Sequence, residues 1–172
     1  MQDIAITIIV IIIAAILLFV FPLMATAENK NEVDLDYVQS STTNFVNASA
    51  SKGMITLETL DTLKQKLSTT GNTYDVNIEI SRKTDDVGKK NSWTTGANLG
   101  EGAFFTLQST QIVEQLEDTG QFKLNIGDTL TVKVENSSRT MASTLKSAIL
   151  GVTESSKAEI TASASALVTG TR

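Results

Sequence analysis

An uncharged run at 4–27, built mostly of Ile, Val, Leu, Ala and Phe, constrains this chain more than any other feature. A helix needs about 20 apolar residues to cross a bilayer, at roughly 1.5 Å of rise each. The run is long enough, and only Met1, Gln2 and Asp3 precede it. The remainder is polar and mildly acidic, with a net charge of −5 for the whole chain. The expected layout is a hydrophobic N-terminal helix carrying one small domain. About 145 residues follow the run, which is one ordinary domain.

Three readings of the run compete. A cleavable signal peptide is suggested by Ala25-Thr26-Ala27, a small-x-small pattern. Against it, no Lys or Arg precedes Lys30, and the apolar stretch 4–21 exceeds the usual h-region of about 7–15 residues. The second reading is a simple membrane anchor. The third is a helix that sits in lipid first and later packs with copies of itself. Pro22 lies inside the run and removes one backbone N–H, which predicts a kink or local melting near 18–22. The β-branched residues between Ile4 and Ile13 are stiff at χ1, which suits tight helix packing. The acidic group Glu28, Glu32, Asp34 and Asp36 follows the run and suits the outer side, so the expected topology is N-in, C-out.

Composition removes several function classes. Cysteine and histidine are absent, which excludes disulfides, Cys nucleophiles, zinc fingers and His-based triads. The only basic doublets are Arg82-Lys83 and Lys89-Lys90, so no nucleic-acid partner is expected. Aromatic content is 5%, which predicts an aliphatic core.

Periodicity then lays out an α+β domain. Residues 33–51 place Val33, Leu35, Val38, Phe45, Val46 and Ala50 at loosely helical spacing. They read as a continuation of the hydrophobic helix after a short interruption at 29–31, ended by Gly53. Residues 1–52 thus form the helical arm and 53–172 the globular part. The stretch 56–70 is a clear amphipathic helix with Leu57, Leu60, Leu63 and Leu67 on one side. Thr56 is placed to cap it and Gly71 to occupy C′. Strict alternation at 74–80 predicts a half-buried strand. A Gly-rich, charged stretch at 81–102 reads as a long surface loop. Trp93 within it is either a surface contact or a lid over the sheet. A short strand is expected at 104–107 and a short helix at 110–116. Phe122, Leu124 and Ile126, then Leu130, Val132 and Val134, alternate around Gly127-Asp128 and predict an antiparallel strand pair. A helix over 138–150 groups Met141, Leu145, Ala148 and Ile149 on one face. The last strand, 158–168, has an Ala-rich face that implies close packing by something thin, such as helix backbone.

Candidate chemistry is sparse. Ser143-x-x-Lys146 has the spacing of some acylating enzymes, but its companion motifs are missing. Asp34/Asp36 and Asp85/Asp86 lack the distal bidentate Glu of a Ca²⁺ loop and read as solvated acidic surface. Asn47-Ala48-Ser49 and Asn136-Ser137-Ser138 are glycosylation sequons by pattern. No catalytic, metal or cofactor residue is assigned, and the chain is not expected to be an enzyme.

The order of elements resembles a type IV pilin or pseudopilin. Met1-Gln2-Asp3-Ile4, Phe21-Pro22-Leu23-Met24-Ala25-Thr26-Ala27, Gly71-Asn72-Thr73-Tyr74-Asp75-Val76 and Gly127-Asp128-Thr129-Leu130-Thr131-Val132 are similar to a family of uncharacterised Gram-positive proteins that accompany Tad-type pilus assembly genes. The resemblance implies a filament subunit at the cell surface, inserted in the cytoplasmic membrane before assembly. Its partners would be copies of itself, membrane lipid and the assembly machinery. It implies a helix core of Asp3, Ile4, Ile8, Ile12, Ala15, Phe19 and Pro22. Pilins carry an acidic residue at the fifth mature position. Here Ala5 stands fifth and Asp3 is the nearest carboxylate, so Asp3 inherits the expected pairing with a neighbour's N-terminal amine.

Overall fold

The computed structural model describes residues 2–83, 104–151 and 159–170. Trp93, Asp85/Asp86 and the loop predicted beyond residue 83 lie outside the described residues.

The first helix, α1 (Gln2–Lys52), is 51 residues long. At 1.5 Å per residue it measures about 76 Å. It passes through Pro22 and through 29–31 as one helix, so neither the predicted melting nor the predicted interruption occurs. Proline removes only one ladder bond, and the turns on either side keep theirs. The Thr26 hydroxyl donates to the Pro22 carbonyl at 2.9 Å, one turn beyond the Leu18 carbonyl that the proline deprives of its ladder bond.

Beyond Lys52 the chain forms β1 (Met54–Thr56), α2 (Leu57–Ser68), β2 (Tyr74–Lys83) and β3 (Phe104–Leu107). Then come α3 (Ser109–Thr119), β4 (Gln121–Lys123), β5 (Thr129–Asn136), α4 (Met141–Leu150) and β6 (Thr161–Leu167). The fold is α+β: a long apolar N-terminal helix and small antiparallel sheets. Thr56 caps α2, as its spacing predicts, with Thr59 returning the bond in a capping box. Gly71 sits two residues past the cap at φ 83°, one position later than predicted. Gly120 ends α3 in the left-handed conformation.

The main sheet runs β3-β2-β5-β6, antiparallel throughout. Its inner face carries Ile78 and Ile80 from β2, Leu130, Val132 and Val134 from β5, and Ala162 from β6. Residues in register form rows: Ile78–Val132–Ala164 and Val76–Val134–Ala162. Each row shrinks to alanine at β6, and α1 packs there. The Ala-rich face therefore does what its composition predicts, letting a helix come close. Helices α2 and α3 cover β2 with Leu60, Leu63, Leu67, Ile112 and Leu116.

Three expectations fail. Residues 121–123 do not pair with β5; β4 instead pairs with β1 in a separate two-stranded sheet, with Ile55 opposite Phe122. The turn at Gly127 redirects the chain without closing a hairpin, since its N–H bonds the Val168 carbonyl at 3.0 Å. On α1, Val33 (67% exposed) and Leu35 lie outside the core; the buried seam is Ala27, Asp34, Val38, Thr42, Phe45, Val46 and Ala50. Asp34 is thus buried, held by Lys30 at 2.5 Å and by the Asn72 amide at 3.2 Å. The four residues grouped on α4 do fall on its helix, with Met141, Ala148 and Ile149 exposed and Leu145 half-buried; neighbouring Ala142 is buried.

Candidate functional site

The feature with no internal role is the first half of α1. Every side chain from Ile4 to Phe19 is exposed, including Ile4 (66%), Ile8, Ile12, Ala15 and Phe19 (75%). Asp3 lies in the first turn. Pro22 is exposed, between Phe21 and Leu23, both also exposed. Burying one such side chain fully is worth about 1.5–3 kcal/mol. Left in water, the run forgoes on the order of tens of kcal/mol. Its working surroundings are therefore lipid or protein. The run is long and apolar enough to cross a membrane.

The second half of α1 is the spine of the domain. The face that packs begins at Val20 and Met24, which are half-buried, and continues through Ala27, Asn31, Asp34 and Val38. Spacings of three and four keep these on one side of the helix. One α-helix thus joins the exposed rod to the domain with no linker between them.

A polar brace surrounds the joint. The Lys30 ammonium donates to Asp34 and, at 2.8 Å, to the Thr70 carbonyl. The Asn31 amide donates to the Thr140 hydroxyl and to Glu159, each at 3.1 Å, and Thr140 bonds Glu159. Lys146 on α4 pairs with Glu28 at 3.1 Å. The Ser143-x-x-Lys146 pair predicted from spacing therefore has its ammonium held against a carboxylate on α1. Among the described residues no buried side-chain polar atom lacks a partner.

A cleft of about 820 Å³ lies between α1 and α2, and its ionisable lining residues Lys52, Glu58 and Lys66 are all exposed. Among the described residues there is no cluster of three metal-ligating side chains. Of the two sequon asparagines, Asn47 is exposed on α1, whereas Asn136 is buried and donates to the Ser138 carbonyl at 2.7 Å.

The residues that spacing did not assign to a site are those on the exposed face of α4. Their helical periodicity is visible in the sequence, but which way the face points is a tertiary fact. No family model matches the chain, and comparisons with curated proteins and with solved structures returned no match.

Proposed function

We propose that this chain is a structural subunit of a pilus-like surface filament, assembled through the apolar half of α1. The observation that carries the reading is the undivided helix: one end is an apolar rod exposed on all sides, the other is the spine of a domain. Sister helices would bury Ile4, Ile8, Ile12, Ala15 and Phe19, and the α+β domain would form the outer shell. Before assembly the same rod would sit in the cytoplasmic membrane with the domain outside. Asp3 would enter that apolar core only with a partner charge, such as a neighbour's N-terminal amine.

A single-pass accessory protein of the assembly machine is the second reading. It is favoured by the exposure on every side of the rod, where the consecutive Ile16 (55%), Leu17 (44%), Leu18 (71%) and Phe19 (75%) go most of the way round the helix, as lipid-facing residues do. Shearing fibres from cells separates the two. Abundant 18.4 kDa chain in the sheared fraction is the expected result; recovery from membranes alone would leave the accessory role. In the same assay Asp3→Ala is expected to abolish fibre yield, and an unchanged yield would remove Asp3 from the assembly contact.

A further inference from the structure

The apolar stripe of α4 faces out of the protein at the level where the rod begins. Met141 (56% exposed), Leu145, Ala148 and Ile149 (45% exposed) stand at i, i+4, i+7 and i+8, one face of a helix. The flank next to Ile149 carries Ala142, which is buried, and Lys146, which reaches α1, so the stripe runs along the margin of the packed side. Two contacts set the course of α4. Its N-cap Thr140 meets Asn31, and Lys146 meets Glu28, closer to the apolar run. Helix α4 therefore descends along α1 toward the run.

The level matters because the run has a length. Residues 4–23 of α1 span about 30 Å, the thickness of a hydrocarbon core. With those residues in a bilayer, Ala27 to Asn31 stand in the headgroup layer, and α4 stands beside them. A helix with one apolar face, lying at that depth, has the properties of an interfacial helix.

We infer that α4 is a second membrane contact: it lays Met141, Leu145, Ala148 and Ile149 into the lipid interface while α1 spans the bilayer. The occupant of this face is lipid. The inference rests on the membrane-inserted stage of the reading above and does not depend on filament formation. Its consequence is orientation. A lone spanning helix lets a domain spin and tilt, whereas a second contact on one flank fixes which side of the domain faces the membrane.

The chain has no cysteine, so single labels can be placed without removing any native residue. Full-length protein carrying Ile149→Cys, Ile12→Cys or Glu79→Cys, each labelled with an environment-sensitive fluorophore, is reconstituted into phosphatidylcholine–phosphatidylglycerol vesicles. Glu79 is exposed on the outer face of the sheet and serves as the aqueous reference. The label at 149 is expected to be blue-shifted and quenched by lipids with shallow nitroxides several-fold more than the label at 79. Adding Met141→Asp and Ala148→Asp is expected to return it to iodide-accessible water. Free iodide access at 149, with the label at 12 deep in the bilayer, would overturn the inference and leave the span intact. Shielding at 149 from both iodide and lipid nitroxide would overturn it in favour of a protein covering. A label at 12 that stays in water would remove the membrane-inserted stage and this inference with it.

Discussion

Gly170 is held where no side chain fits. A Cβ there would lie 1.8 Å from the Ser51 carbonyl oxygen, and the Gly170 N–H already bonds the Ala50 carbonyl at 3.2 Å. This glycine and Thr169 both donate to the single Ala50 carbonyl in the last turn of α1, from the segment that follows β6. Gly170→Ala is expected to destabilise the folded chain by about 1–3 kcal/mol, measured by urea unfolding in detergent. Arg82 and Asp128 form the other residue-scale lock. The guanidinium contacts both carboxylate oxygens, at 3.0 and 2.6 Å, and Asp128 is only 2% exposed. Arg82→Ala strands a buried carboxylate and is expected to cost about 3 kcal/mol. Asp128→Ala added to it should cost less than the two single changes summed, because the pair acts as a unit. Neither lock is legible in the sequence. Asp128 reads there only as a turn residue, and its partner is 46 positions away.

At the scale of elements, the edge of the sheet shows how α1 does more than cover a face. Among the described residues strand β6 has no strand on its outer side, and the Gln39 side chain supplies a partner there. Its amide donates to the Ser163 carbonyl at 2.9 Å and accepts from the Ser163 N–H at 3.3 Å. An open strand edge invites pairing with other chains. Gln39→Ala is expected to leave the fold intact, to cost about 1 kcal/mol, and to speed hydrogen exchange at the Ser163 amide specifically. Pro22 offers a second test at this scale. Since α1 is already continuous, Pro22→Ala should add almost no helix to the far-UV circular dichroism of the detergent-solubilised chain; a large gain would mean a broken helix. Elements with a clean period were readable in advance: α2 by its leucines and Thr56, β2 by Tyr74, Val76, Ile78 and Ile80. Pairing was not. Phe122 and Leu124 alternate as a hairpin arm would, and both are buried, but Phe122 stands opposite Ile55 of β1, a three-residue strand too short to leave a pattern, and the Leu124 N–H bonds the Gly53 carbonyl before it. The α4 stripe was legible as a face, but its exposure was not, because periodicity reports that a side is apolar and not what covers it.

For the whole molecule, the sequence carried the division into an apolar rod and a polar domain, because that division is compositional. What it hid was the joint. Asn29, Lys30 and Asn31 look like a break in a hydrophobic helix, whereas Lys30 and Asn31 are tied to Thr70, Asp34, Thr140 and Glu159. Loosening that brace is expected to separate stability from geometry. Asn31→Ala should lower the unfolding midpoint only slightly while broadening the distribution of distances between spin labels at Ile12→Cys and Glu79→Cys, read by pulsed electron resonance.

Such a joint makes α1 a lever. The arm beyond Ala27 is about 35 Å long. A tilt of about 10° at the brace would swing its tip by about 6 Å, more than half the width of a helix. In a filament of the proposed kind, force or torque applied to the domain would thus reach the far end of the rod magnified in displacement, and a small rotation of the domain would be felt as a change of register between packed rods.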